Sequence, residues 1–421
     1  MSDTSSLRPH AERARAASRL VASSSGAART HALGRIAEAL RDQRDALLDA
    51  NAADVAAGRE AGLEDAFLDR LALSADRIEG MASAVDAIAG QDDPVGRVEL
   101  QQVRPNGLRV GRVRTPLGVI AVIYEARPNV TSDAAALAIR SGNAILLKGG
   151  SHARRSNKAV GAAVAAGLEA GGLPADAVQV ITDHPRDAIA ELLTFDDLID
   201  LVIPRGGEGL IRFVAERSRI PVVKHYKGVC HVYLHEDAPV DRAVAIAVNA
   251  KVSRPAVCNS AETLLVDAAA ASRLLPAVGR ALIDAGVTLH ADGRARAHLP
   301  ATREVVAAND SDWDAEYLAL DIAVAVVDGL DGAIEHIRAH SSDHTEAIVT
   351  ESITVADRFT REITSSCVMV NASTRFADGG QLGLGAEIGI STSRVHAYGP
   401  MGAEGLTTTR FVVLGEGHVR T

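Results

Sequence analysis

The stretch GVIAVIYEARPNVTSDAAALAIRSGNAILLKGG (118–150) decides the fold. Two continuous apolar runs, GVIAVIY (118–124) and NAILLK (143–148), flank a segment with apolar residues at helical spacing near 131–141. Runs without polar alternation are buried on both faces, as parallel strands are. The pattern continues with AVQVIT (177–182), LIDLVIP (198–204) and IPVVKH (220–225) as further strands, and helices near 154–171, 186–194 and 207–217. Strands alternating with helices at this spacing predict an α/β chain built on an open parallel sheet covered on both faces.

A second α/β stretch follows. HVYLHEDA (231–238), AETLLVDAAA (261–270) and DIAVAVVDG (321–329) read as strands that end near acidic residues, with helices at 239–250, 271–285, 330–340 and 354–362. Residues 9–90 are Ala-rich with apolar positions at helical spacing, and Asn51 and Asp65 are expected to open new helices as caps. RVELQQVRPNGLRVGRVRT (97–115) alternates β-branched and charged residues around Asn106-Gly107, a hairpin signal. Charge on both hairpin faces suits an element that projects and pairs with another subunit. TTTRFVVL (407–414) is expected to add a strand to it, within the chain or across a dimer.

With 421 residues, the chain has room for two or three domains. A net charge of −10 argues against a general nucleic-acid binder. No apolar run approaches the ~20 residues needed to span a bilayer. The first residues, MSDTSSLRPHAERARAAS, carry no apolar core of signal-peptide type. Cys230, Cys258 and Cys367 form no disulfide framework, and a cytoplasmic, reducing location is expected. The cysteines lack metal-ligand spacing and the histidines are scattered, so no metal is expected.

Several polar residues follow predicted strands or precede them. Cys258, in NAKVSRPAVCNSAETLLV, falls on a loop before a strand, and Arg254 nearby would favour its thiolate, the form that attacks an activated carbonyl. Read alone, it fits a buried, inert thiol better than a nucleophile; Cys230 and Cys367, inside apolar runs, read as inert. Lys148 ends a strand, where side chains point into the crevice that binds cofactors. Gly149 and Gly150 permit close approach there, and Arg154 or Arg155 could meet a ribose 2′-phosphate; a solvated basic loop is the alternative. Gly206 and Gly207, in PRGGEG (204–209), also follow a strand and open a helix, a place for a pyrophosphate. In YEARPNVTSD, Arg127 offers a planar fork to a carboxylate or phosphate, and Asn129 offers an amide to an oxyanion or a helix cap.

The strand with its Lys, the Gly-rich turn, the Cys before a strand and a late Glu together resemble the aldehyde dehydrogenase superfamily. YEARPNVTSDAAALAIRSGNAILLKGGS, KHYKGVCHVYLHEDA, VCNSAETLLV, VNASTRFADGG and GLGAEIGISTSRVHAYGPMG resemble its acyl-phosphate-reducing branch along essentially the whole chain. The resemblance implies an aldehyde dehydrogenase-like fold. A Rossmann-type NADPH-binding domain would take residues 1–96 and 116–228. A catalytic domain carrying Cys258 would take 229–405, and an oligomerisation element 97–115 and 406–421. It implies NADPH-dependent reduction of L-glutamyl 5-phosphate to L-glutamate 5-semialdehyde and phosphate through a thioester, in a homo-oligomer (dimer or tetramer) that meets glutamate 5-kinase in passing.

Residue by residue, the resemblance makes Cys258 the nucleophile and Lys148 the contact to the adenosine ribose. Glu316 becomes the contact to the nicotinamide ribose, and Gly206 and Gly207 the pyrophosphate turn. Asn129 becomes the oxyanion donor, and Arg127 and Arg254 become candidates for the substrate's carboxylate and phosphate. Hydrolytic relatives activate water with a Glu before a Gly-Gly pair. Here that stretch is His225-Tyr226-Lys227-Gly228, without a carboxylate, which favours a reductase over a hydrolytic dehydrogenase. Ser151 stands where NAD-preferring relatives carry Glu, which leaves room for a 2′-phosphate beside Arg154 and Arg155. Tyr398 and His152 depart from the expected Arg and Glu. A non-catalytic scaffold of the same fold is the remaining rival, and the joint presence of Cys258, Lys148 and Glu316 argues against it.

Overall fold

The computed structural model describes residues 6–125, 127–182 and 188–420. Residues 186 and 187, the start of the helix expected at 186–194, lie outside the described residues; the remainder of that segment forms Ala188–Leu192. The chain divides into two compact units. One comprises Met1–Lys224, Gly383–Gly389 and Met401–Thr421, the other His225–Leu382 and Ile390–Pro400.

The first unit holds a four-stranded parallel sheet in the order Val178–Val180, Ala144–Lys148, Val119–Tyr124, Leu201–Arg205. Every residue of Val119–Tyr124 and Ala144–Lys148 is buried, as continuous apolar runs require. The helices Asn129–Arg140 and Arg154–Ala170 make the crossovers. The strand expected at 220–225 does not form. One parallel bridge joins Val202 to Val222, and Pro221, lacking an N–H, accepts from Val202 N at 2.9 Å but cannot donate.

Five N-terminal helices, Arg8–Ser23, Gly26–Asp42, Arg44–Glu60, Asp65–Leu71 and Ala75–Ala89, belong to this unit. Their side-chain caps are Ser25 and Ser74, which accept from Ala28 N and Arg77 N. The expectation for Asn51 is corrected: it lies inside Arg44–Glu60, fully engaged with distant chain. Its amide donates to Leu71 O at 2.8 Å and Ser156 Oγ at 3.0 Å, and its oxygen accepts from Leu73 N at 2.7 Å. Asp65 opens its helix without a side-chain cap.

A separate antiparallel sheet contains Val98–Val103, Arg109–Pro116 and Thr407–Leu414. Gly107, at φ +89°, makes the hairpin turn, and the C-terminal strand pairs with Arg109–Pro116 of its own chain. Every residue of Val98–Val103 is exposed.

The second unit is built on a seven-stranded parallel sheet. Its order is Val305–Ala307, Thr288–Ala291, Asp321–Val327, Ala261–Asp267, Cys230–Leu234, Thr345–Val349, Cys367–Val370. Three of these were expected from the sequence; the other four are three to five residues long. One face packs on Val240–Val252 and Ala271–Asp284, the other on Gly329–His340 and Ile353–Glu362. Among the described residues no helix is long and apolar enough to cross a membrane.

Replacing Asn51 by Ala leaves Leu73 N and Leu71 O without their partner in the interior. Urea unfolding should show a loss of roughly 2 kcal/mol; an unchanged midpoint would mean the buried amide holds nothing.

Candidate active site

In the second unit the polar residues gather at the amino edge of the sheet. Three adjacent strands, Ala261–Asp267, Cys230–Leu234 and Thr345–Val349, are entered by loops that carry Cys258, residues 225–228 and His344. The Cys258 loop and the Gly228 loop touch backbone to backbone. A β-carbon at residue 228 would lie 2.0 Å from Cys258 O and 2.8 Å from Cys258 Cα. Asn259 Nδ2 donates to Ala377 O at 2.9 Å and ties the loop down behind the thiol.

Cys258 is half-buried, and its sulfur lies among imidazoles: one ligand atom each from His225, Cys258 and His344 falls within 4.8 Å of the others. His344 is fully buried. Its Nδ1 lies 2.8 Å from Thr345 Oγ1, and its Nε2 has no hydrogen-bond partner among the described residues. Burial first, and the charge of His225 second, push its pKa down to about 3, so the ring is neutral at ordinary pH. Cys230, directly behind, is buried and donates from Sγ to Cys258 O at 3.2 Å. Burial raises its thiol well above the usual range, so it stays protonated.

Arg375 donates from Nε to Ser253 Oγ at 3.1 Å. Its pKa is lowered, by burial first and by the charge of Arg254 next, while Asp378 and Cys258 oppose the shift. A negative sulfur at Cys258 would thus favour the charged Arg375, as a neighbouring opposite charge does.

Glu316 accepts from Gly228 N at 2.8 Å, and Lys227 Nζ donates to Asp314 O at 2.7 Å, so the segment before Gly228 is held from the 314–316 side. Beneath lies a buried ion pair, Lys251 Nζ to Glu262 Oε2 at 2.6 Å, both side chains fully enclosed. Glu262 sits where the register shifts between Cys230–Leu234 and Ala261–Asp267, an irregularity of the kind that re-aims side chains near sites. Burial pushes its carboxyl up to about 7 against the pull of Lys251.

In the first unit the expected residues lie at the carboxyl ends of the strands. Lys148 ends its strand, is buried, and donates to Gly149 O at 3.2 Å; burial and then Arg154 lower its pKa. Ser151, His152, Arg154 and Arg155 line one cleft of about 490 Å³ together with Lys158 and Asp54. Asp54 has both oxygens engaged, one with Arg155 N at 3.3 Å and the other with Ser156 N and Oγ at 2.8 Å each. The cleft thus offers cationic groups at a helix start, which suits an anionic ligand. Gly206 packs against the Glu125 side chain, and Gly207 is the residue before the helix Glu208–Arg217. Arg127 and Asn129 are exposed at the start of Asn129–Arg140. Asn129 does not cap it but donates to Asp133 Oδ2 at 2.9 Å.

The fold thus groups Cys258, Arg254 and Glu316 in one unit and Lys148, Ser151, Arg154 and Arg155 in the other. His344 and Arg375 do not stand out in the sequence, and His225 does so only as the absence of a carboxylate. Arg375 was within reach, since it stands in the quoted VNASTRFADGG; His344, in SSDHTEAIV, carries no local signal.

A sequence model of the aldehyde dehydrogenase family matches residues 2–293, and the chain belongs to that family. The gamma-glutamyl phosphate reductase of an Anaeromyxobacter species is 55% identical over 420 residues, 99% of this chain and 97% of that relative. The one from Idiomarina loihiensis is 51% identical over 409 residues, 97% of each. The crystal structure of gamma-glutamyl phosphate reductase from Thermotoga maritima superposes with a TM-score of 0.96 at 44% identity, over 99% of this chain and 100% of that one. The aldehyde dehydrogenase family uses a nicotinamide cofactor. The residues around Ser151 fit one: basic groups dominate the cleft, and both oxygens of its carboxylate, Asp54, are already taken up by hydrogen bonds from Arg155 and Ser156.

Proposed function

We infer that the protein reduces L-glutamyl 5-phosphate with NADPH to L-glutamate 5-semialdehyde and phosphate, a step of proline biosynthesis. The observation that carries this reading is the full-length likeness to relatives that bear the name gamma-glutamyl phosphate reductase.

Cys258 is the nucleophile. Its thiolate, favoured by Arg375 and Arg254, attacks the acyl carbon; the carbon–sulfur bond forms, the carbon–oxygen bond to phosphate breaks, and phosphate leaves with the electron pair. The Cys258 N–H is a donor to the oxyanion, and Asn129 keeps that role on the family resemblance, as Arg127 keeps the substrate carboxylate. When bound, the nicotinamide supplies a hydride to the thioester carbon. The resulting alkoxide collapses and expels the Cys258 thiolate, which is thereby regenerated. The segment 225–228 carries no carboxylate to activate water, so the thioester is spared hydrolysis.

Lys148, Ser151, Arg154, Arg155, Gly206 and Gly207 would hold the adenosine and phosphate end of NADPH, and Glu316 the nicotinamide ribose. Ser151 leaves the 2′-phosphate unopposed, and the cations of the cleft favour it over NADH. The chain acts as a homo-oligomer in the cytoplasm, with the exposed Val98, Leu100, Val103, Phe411 and Val413 of the three-stranded sheet as contact surface, and receives its labile substrate from glutamate 5-kinase.

Cys258→Ser should lower turnover at least about a thousandfold while NADPH still binds. Substantial residual turnover would sink the covalent route. In the reverse direction, oxidation of the semialdehyde should require phosphate. Replacing Arg154 and Arg155 together by Ala should raise KM for NADPH roughly tenfold or more, with little change for NADH. Equal losses with both cofactors would place the 2′-phosphate elsewhere.

A further inference from the structure

We propose that His225, Cys258 and His344 form a binding site for a borderline-soft divalent metal ion, zinc foremost, and that filling it switches the enzyme off. The three residues are far apart in the sequence, and the fold alone assembles them at the amino edge of the sheet. Their ligand atoms lie within 4.8 Å of one another. Zinc takes sulfur at about 2.3 Å and imidazole nitrogen at about 2.0–2.1 Å, so small rotations of the half-buried His225 and Cys258 close the set.

A second observation points the same way. His344 is fully buried, yet its Nε2 meets no hydrogen-bond partner among the described residues. Its Nδ1 lies 2.8 Å from Thr345 Oγ1. Cys230 Sγ also lies 3.6 Å from Nδ1; with the hydrogen on Nδ1, the ring is held as outer partners hold a metal-binding imidazole, and Nε2 keeps its lone pair for a ligand. Two nitrogens and one sulfur, with no carboxylate among them, select against magnesium and calcium and suit zinc. Three protein ligands leave one position open, so the ion enters and leaves without unfolding the unit.

On binding, the Cys258 thiolate gives its sulfur pair to zinc, any proton still on sulfur passing to solvent, and a zinc–sulfur bond forms; no electron is transferred. The sulfur pair that would attack the acyl carbon is then committed to the metal. The inhibition rests on the reading of Cys258 as nucleophile, whereas the binding does not.

The test titrates the full-length, chelator-stripped protein with Co²⁺ and follows the thiolate-to-cobalt charge-transfer band. The band should saturate at a single equivalent, disappear on adding zinc and be missing in Cys258→Ser. His344→Gln should weaken cobalt binding roughly tenfold or more. Should that variant fail to fold, His225→Gln, at a half-buried position, takes the same measurement. Zinc should also slow alkylation of Cys258 and stop turnover, with recovery on chelation. No band in the wild-type protein, or wild-type affinity in the folded His variant, overturns the site. A band with turnover unaffected by zinc leaves the site standing but overturns both the switch and the role of Cys258 as nucleophile.

Discussion

The contact between Gly228 and the Cys258 backbone is the constraint on which the rest of the site depends. Two loops entering neighbouring parallel strands come so close that any side chain at 228 would displace the carbonyl of 258. The same carbonyl accepts from Cys230, and the N–H of Gly228 donates to Glu316. One crowded point therefore connects the thiol, the residue behind it and the carboxylate beside it. Orientation of a nucleophile to within a fraction of an ångström is worth several kcal/mol of barrier, so on the reading of Cys258 as nucleophile, rigidity at this point would bear on rate.

The two units use opposite edges of their sheets. In the first, cationic and glycine-rich elements stand at the carboxyl ends of strands, where α/β sheets ordinarily receive cofactors. In the second, the thiol and its imidazole neighbours stand at the amino ends, on loops that precede strands. Fixed charges differ accordingly: Arg154, Arg155 and Lys158 line a cleft of the first unit, while in the second a half-buried sulfur stands beside His225 and the neutral imidazole of His344.

Much of the fold was legible because buried parallel strands announce themselves as unbroken apolar runs. Val119–Tyr124, Ala144–Lys148 and Ala261–Asp267 were found that way. The same criterion misread 220–225, where Pro221 cannot complete a ladder, and passed over Val305–Ala307 and Cys367–Val370, too short to stand out. Asn51 shows a local preference overridden by distant partners. At the site, Cys258 stands out through a long motif and Glu316 only as a late Glu of the superfamily pattern, whereas His344 carries no such signal. Its relation to Cys258 is created by the adjacency of two strands that are remote in sequence.

The approach of residue 228 to residue 258 is expected to set the reactivity of Cys258. Gly228→Ala tests it by rate of alkylation at Cys258 and by turnover, with circular dichroism to establish that the variant is folded. The variant should fold, and both rates should fall together by roughly a hundredfold. A folded variant that alkylates and turns over as the wild-type protein does would contradict it.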